Sequence, residues 1–250
     1  MEDSPSIAEK LARLARLEAD FQRAMETEKL EAMAEFAAGA GHEINNPLAV
    51  ISGRAQLLLR DETDPERRRA LALISAQAMR VYEMIADMML FARPPRPELQ
   101  KIDLCEIIDA LVVDLSPRCV AQQTALRRIG ESQPVFIEAD PIQMNVAVRA
   151  ICQNAIEALQ RGGRIEVGLE RGDAEVRIVV RDDGPGIRPE ERRHLFDPYY
   201  STRQAGRGLG LGLSKAWRII TNHGGRIDVE SQPSQGTSFT IVLPELAKTT

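Results

Sequence analysis

The chain has 250 residues, 44% hydrophobic and 28% charged, which suits two ordinary globular domains with real cores and excludes a disordered polymer. A formal net charge of −5 excludes a general nucleic-acid binder, because phosphate backbones are gripped by an excess of Lys and Arg. No apolar run approaches the length of a bilayer span, so direct membrane insertion by this chain is not expected and a cytoplasmic location is.

Ile7, Leu11, Leu14, Phe21 and Met25 recur at helical spacings and predict a coiled-coil helix over residues 1–29. After a phase shift near Thr27 the helical pattern resumes with Met33, Phe36, Ile44, Leu48, Ile51 and Leu58, interrupted only by Gly39, Gly41, Pro47 and Gly53. A turn over residues 61–65 follows, with Asp64 as N-cap and Pro65 at the first helical position. The next helix carries Leu71, Ile74, Ala78, Val81, Ile85, Met88 and Met89 and stops at Arg93-Pro94-Pro95. These two helices make a hairpin over residues 30–93 whose apolar stripe cannot be covered from within, so a second copy is expected to complete a four-helix bundle. Residues 94–101 read as a linker, with the boundary near Gln100.

Residues 102–246 mix helices and strands. Helices are predicted over 104–115, 141–159 and 211–222, and strands over 125–129 and 134–138. Two hairpins complete the set, 164–169 with 175–181 across Arg171-Gly172-Asp173, and 226–230 with 238–243. The expectation is an α+β domain, a sheet covered by helices on one face. Cys105, Cys119 and Cys152 have no paired spacing and read as buried free thiols. His42, His194 and His223 are the only histidines, too far apart in sequence to suggest a metal cluster.

Two segments are rich in glycine, Asp182-Asp183-Gly184-Pro185-Gly186-Ile187 and residues 206–213. Glycines at alternate positions let a backbone adopt positive φ and approach a ligand, and a helix that follows offers its N-terminus to phosphate. Taken alone, each segment also fits a plain turn, with Asp182 as its cap. Asn154 sits in an otherwise apolar helical pattern, where an amide oxygen can complete a magnesium shell supplied mostly by water and phosphate. Glu157 lies near the same face, and both also fit solvated helix positions.

In this order and spacing the segments resemble the ATP-binding domain of histidine kinases, within the superfamily shared with gyrase, the Hsp90 chaperones and MutL. Asn154 falls on the last Asn of the N box, and Asp182, Gly184, Gly186 and Ile187 fall in the G1 box. Residues 195–203, with Phe196, Thr202 and Arg203, match the F box, and Gly208, Leu209, Gly210, Leu211, Gly212 and Leu213 the G2 box. His223-Gly224-Gly225 and Gly236-Thr237 complete the tail, while Gly41-His42-Glu43-Ile44-Asn45-Asn46-Pro47-Leu48 resembles the H box in its H-E-I-N-N-P form.

The resemblance spans roughly residues 30–244. It implies an all-α helical hairpin, a four-helix bundle as a homodimer, followed by an α+β sandwich ATP-binding domain of the GHKL type. It further implies ATP and Mg2+ as cofactors and a response-regulator receiver domain as partner. Asp182 would then accept from the adenine amino group, Asn154 would hold magnesium with Glu157 beside it, the G2 glycines would border the triphosphate, and Arg203 would reach a phosphate. Four positions depart from the pattern: Ala150 replaces the first Asn of the N box, Leu209 a usual Thr, and Tyr199-Tyr200 a Phe pair.

An imidazole with an ordinary pKa near 6.5 is largely neutral at cellular pH, and so a competent nucleophile toward a γ-phosphorus. Adjacent Glu43 is positioned as general base for the Nδ1 proton, leaving Nε2 to attack. Pro47 has no N–H for the Glu43 carbonyl, so the helix should bend just after His42. Asn46, one turn beyond His42, suits orientation of a water toward a phospho-aspartate, which adds phosphatase activity to the expectation. A nucleotide-binding scaffold that signals by shape, and a chaperone-like or mismatch-repair ATPase, are the competing readings; uptake of acid-labile label at His42 separates them.

Overall fold

The computed structural model describes residues 7–172, 174–201 and 209–246, and the chain divides into two compact units between Pro94 and Pro95. The first unit is a helical hairpin. Helix α1 (Ile7–Asp61) runs 55 residues, about 80 Å at the ideal rise, through Pro47 and without a break at Thr27. Strong helix formers such as Ala24, Met25, Glu28 and Lys29 lie on both sides of the phase shift, so it turns the apolar stripe without ending the helix.

Helix α2 (Pro65–Ala92) starts where its sequence predicts. The Asp64 carboxylate accepts from the Glu66 and Arg67 N–H groups at 2.8 and 3.0 Å, and Pro65 occupies the first turn, where its missing N–H costs nothing. Arg68 closes the turn by donating to the Leu59 and Glu62 carbonyls at 3.1 and 2.7 Å. The two helices run antiparallel: Ser52 meets Ser75, hydroxyl to hydroxyl at 3.1 Å, and Gly41 faces Ile85. Small residues at this seam (Ala34, Ala37, Ala55, Ala78) bring the backbones close, while Phe36, Ile51, Leu57, Leu58, Leu73 and Tyr82 stay exposed.

The second unit is built on two sheets. Strands β1 (Gln100–Asp103) and β3 (Phe136–Ala139) pair antiparallel on their own. The larger sheet has five strands: β2 (Ala125–Gly130), β4 (Arg164–Arg171), β5 (Glu175–Asp182), β6 (Arg226–Ser231) and β7 (Thr237–Pro244), in the order β2-β4-β5-β7-β6. Only β2 and β4 run parallel. Helices α3 (Leu104–Ala121), α4 (Pro141–Leu159) and α6 (Gly212–Asn222) share one core with the sheet, and the short α5 (Pro189–Arg192) follows β5. Ile165, Val167, Ile178, Val180, Phe239 and Ile241 of the sheet pack with Ile108, Leu111, Met144, Ile151, Ala216 and Ile219 of the helices, the α+β layering expected.

Several elements differ from the sequence prediction, among them the short α5, which it did not include. Strand β1 has a single buried residue, Ile102, and its partner lies far along the chain, so no local alternation announces it. Strand β3 begins at Phe136, two residues late. Helix α3 passes through Pro117 to Ala121; the carbonyl that loses its donor belongs to Val113, which is 73% exposed and solvated. Among the described residues no helix is long and apolar enough to cross a membrane.

Candidate functional site

Along β5 the side chains of Val176, Ile178 and Val180 enter the core, and strand alternation carries the next residue in that row, Asp182, into the same layer. It is 4% exposed. Its carboxylate accepts the Gly184 N–H at 2.9 Å and also the Thr237 N–H. Burial pushes its pKa above the usual carboxylate range; those two N–H groups oppose the rise and the neighbouring Asp183 adds to it. Two of the roughly four acceptor positions of a carboxylate are thereby used, which leaves capacity for a further donor.

The loop after β5 is shaped by backbone that only glycine permits. Gly186 lies at φ 69°, and a Cβ there would run into the Gln232 carbonyl; Gly236 lies at φ 82°, and a Cβ there would strike the Asp182 carbonyl. The Ser231 hydroxyl accepts from the Ile187 N–H at 2.8 Å and donates to the Gly236 carbonyl at 3.0 Å, while the Ser234 N–H donates to the Pro185 carbonyl at 2.7 Å. These bonds strap the loop to the β6–β7 turn. Asp183 turns away to accept the Arg164 N–H at 2.7 Å. Beside the loop a cavity of about 470 Å3 is lined by Ile187, Pro189, Arg192, Arg193 and Ser231.

Helix α4 reaches the same loop with its C-terminal end: Leu159 packs where a Gly184 side chain would otherwise extend. Asn154 lies half-buried on α4, one turn beyond the buried Ala150. Glu157 forms an ion pair of 3.5 Å with Arg118 of α3. Both Leu195 and Phe196 pack partly buried against the core, and the His194 ring, held by Asp197 at 2.6 Å, meets the Tyr200 ring at 5.3 Å. Thr202, Arg203 and Gly208 lie outside the described residues.

The second glycine segment returns at Leu209. Gly210, at φ 70°, sits against the backbone of Tyr199 and Tyr200. Leu211, 2% exposed, is the N-cap residue of α6, which therefore starts one residue later than predicted. At Gly212, the first residue of α6, an added Cβ would meet open space, and Leu213 leans back onto the core. The start of α6 thus presents bare backbone outward.

On the hairpin, His42, Glu43 and Asn46 are all exposed on α1, while Gly41 is buried against Ile85. Asn45 is half-buried, and its side-chain oxygen is buried with no hydrogen-bond partner in the single chain. The acceptor-capable histidine is therefore at a surface that another body can approach.

The structure thus gathers Asp182, Gly184, Gly186 and Ile187 in one loop and seats Gly210 on the segment that contains Tyr200. Ser231 and Thr237 belong to this site as well. Ser231 has no motif to announce it; Thr237 was marked by the Gly-Thr pair, whose positive-φ glycine is the available signal.

Two family models match the chain. The His Kinase A (phospho-acceptor) domain covers residues 32–97, and the Histidine kinase-, DNA gyrase B-, and HSP90-like ATPase covers residues 139–247. The sensor histidine kinase ZraS of Klebsiella oxytoca is 36% identical over 224 residues, which is 87% of this chain and 47% of that protein. Among solved structures, full-length ShkA in complex with AMPPNP superposes with a TM-score of 0.74 at 24% identity, over 85% of this chain and 46% of that one. ThkA in complex with the response regulator TrrA gives 0.64 at 24% identity, over 92% and 67%. At such identity these structures establish the fold.

The chain belongs to the histidine kinases, joining a phospho-acceptor hairpin to an ATPase domain of the GHKL type. It spans about half the length of the curated relatives it matches.

Proposed function

We propose that this chain, as a homodimer in the cytoplasm, uses ATP to phosphorylate His42 and passes the phosphoryl group to an aspartate on a response-regulator receiver domain. Residues 1–29 would relay the signal as a coiled coil, residues 30–93 would dimerise and carry the histidine, residues 94–101 would link, and residues 102–246 would bind ATP. The observation that carries the reading is the joint occurrence of two features. An exposed His42 directly precedes a carboxylate on the hairpin, and the other unit buries Asp182 at the start of a glycine-shaped loop with part of its acceptor capacity unused.

Asp182 would accept from the adenine amino group, with Gly184, Gly186 and Ile187 beside the base and Phe196 behind it. Leu209, Gly210, Leu211, Gly212 and Leu213, with Gly208, Thr202 and Arg203, would border the phosphates at the start of α6, where bare N–H groups and the helix dipole favour negative charge. Asn154, with Glu157 on the next turn, would hold Mg2+. Magnesium takes most of its shell from phosphate and water, so a single amide oxygen from the protein would suffice. When bound, magnesium neutralises charge on the triphosphate.

At the hairpin, Nε2 of neutral His42 would attack the γ-phosphorus as the bond to the β,γ-bridging oxygen breaks and ADP leaves. Glu43 would take the Nδ1 proton, so that the product is a neutral-ring phosphohistidine. The loss of a helical bond at Pro47 would let the reactive turn adjust. Asn46 would orient water toward a phospho-aspartate on the partner and so supply the phosphatase activity. The uncovered apolar side of the hairpin, with Ile51, Leu58 and Tyr82, supports the dimer.

Incubation with γ-labelled ATP tests the reading. Acid-labile label is expected on the wild-type chain, none on His42→Gln, and a reduction of at least tenfold for Asn154→Ala. Nucleotide bound without label would instead support the scaffold reading.

A further inference from the structure

Three buried polar side chains in the second unit take no part in the chemistry above. Asp140, Gln143 and His223 are 7%, 3% and 9% exposed, and all face the start of α4. The Asp140 Oδ1 caps α4 by accepting from the Ile142 and Gln143 N–H groups at 2.9 and 3.0 Å. Its other oxygen accepts the N–H of Glu98 at 3.0 Å. Gln143 donates through Nε2 to the carbonyl of Pro95 at 3.0 Å. His223, the C-cap residue of α6, accepts the Asp140 N–H on Nε2 at 3.1 Å, which puts its proton on Nδ1, donating to the Ile219 carbonyl at 2.8 Å.

Gln143 keeps its place at a cost. Its Oε1 is buried without a partner, so an apolar side chain of the same length would pack there with no orphaned acceptor. What the amide contributes is the bond to Pro95 at 3.0 Å and a longer one, 3.4 Å, to the Asp140 oxygen that holds Glu98. Burial alone would raise the Asp140 carboxyl; the N–H groups of Gln143, Glu98 and Ile142 outweigh it and hold the group ionised below the usual range. Both side chains grip the linker.

The consequence is one of length. Helix α2 ends at Ala92, so only Arg93 and Pro94 lie between it and the first gripped residue. With the grip released, the free stretch would run to the start of β1 at Gln100. At about 3.3–3.6 Å per extended residue, the tether grows from about 7 Å to about 24 Å.

We propose that Asp140, Gln143 and His223 form a clamp that fastens the linker at Pro95 and Glu98 to the ATP-binding unit. They act as positioning residues: they hold that unit on a two-residue tether and touch neither nucleotide nor His42. Through His223 the clamp is tied to α6, the helix that begins at the glycines proposed to border the phosphates, so nucleotide occupancy and linker grip share one rigid element. A short tether raises the effective concentration of the nucleotide at the histidine and removes linker freedom that docking would otherwise have to freeze. The proposal rests on the kinase reading.

Gln143→Met removes the donor shared by Pro95 and the Asp140 carboxylate together with its orphaned oxygen, and Asp140→Asn keeps the helix cap on Oδ1 while presenting an N–H to Glu98. In the full chain, each is expected to speed amide exchange in residues 93–99 at least tenfold. Labelling of His42 at saturating ATP should fall at least fivefold, with AMPPNP affinity within twofold in both variants and an unchanged thermal midpoint in Gln143→Met; Asp140→Asn, which gives up a carboxylate held ionised by its N–H partners, should melt lower. A purely structural role would move affinity and midpoint together with the rate. Unchanged exchange, unchanged or faster labelling, or a rate loss matched by lost AMPPNP affinity overturns the clamp. Should the wild-type chain bind AMPPNP and take up no label, the kinase reading fails, and the exchange comparison alone decides whether the linker is fastened.

Discussion

Gly210 lies against Tyr200 so closely that a Cβ built on the glycine would stand 2.7 Å from the Tyr200 carbonyl oxygen. The contact joins the end of the second glycine segment to the segment with Phe196, across residues 202–208, and it is made at φ 70°, where an L side chain is strained.

Gly210→Ala therefore combines backbone strain of about 1–3 kcal/mol with a backbone collision that no rotamer relieves. The start of α6 is expected to shift away from Tyr200, and AMPPNP affinity to fall at least tenfold by calorimetric titration. Gly212→Ala, at an open position, is the control for stability: its thermal midpoint should stay within about two degrees of wild type, while the Gly210 variant loses several degrees. Equal affinities in the Gly210 variant and the wild type would show that this contact does not shape the site.

Asp182 gives a pH dependence with a defined sign. Its folded pKa is raised by burial above the ordinary 3.8, so between those two values the native state holds a proton that the unfolded chain has lost. Its contribution to stability is complete below 3.8 and is lost as pH rises through the raised value. Asp182→Asn has no such titration. The stability of the variant relative to wild type is expected to climb as pH rises from about 4 to 7, followed by urea unfolding of both proteins at each pH. Carboxylates held low by their partners, such as Asp140, Glu175 and Glu191, lose stability in the opposite sense as pH falls, but they are common to both proteins and cancel. Parallel curves would mean that Asp182 is not desolvated in the native state.

Much of this architecture was legible because it is locally encoded. Asp64-Pro65 marks the start of α2, Pro141 and the apolar spacing to Leu159 mark α4, and alternation broken only by the apolar runs 178–180 and 241–243 marks β4, β5 and β7. What escaped depends on distant partners. Gln100 to Asp103 becomes a strand only because β3 lies beside it, and Ser231 joins the site only because the β6–β7 turn folds over Ile187. The Asp182 loop was readable from its glycines, whereas the grip of Gln143 on Pro95 spans 48 positions and leaves no periodic trace.

The thiols should be inert in the folded protein. Cys152 is fully buried, and burial pushes its pKa up to about 12; burial also raises Cys105 and Cys119. At pH 7.5 a thiol reagent such as dithionitrobenzoate is expected to modify none of the three within minutes, and all three once the protein is unfolded in guanidinium. Rapid reaction of one thiol in native buffer would reveal an opening of the α3–α4 packing.

Pro47 places a defect in α1 five residues beyond His42. Its ring supplies no N–H to the Glu43 carbonyl and crowds that turn, a cost of up to about 3 kcal/mol relative to Ala in a helix interior. Helix α1 nevertheless continues to Asp61, because its packing on α2 through Ser52 and Ala55 outweighs the lost bond. Pro47→Ala restores the bond and is expected to stabilise the hairpin by about 1–3 kcal/mol, read as a higher midpoint in thermal or urea unfolding. The same change stiffens the turn that carries His42 and Glu43, so labelling from γ-labelled ATP should slow several-fold although the protein is more stable. A variant that unfolds earlier than wild type would mean that the proline fits its site without strain, and that the turn owes its freedom to something else.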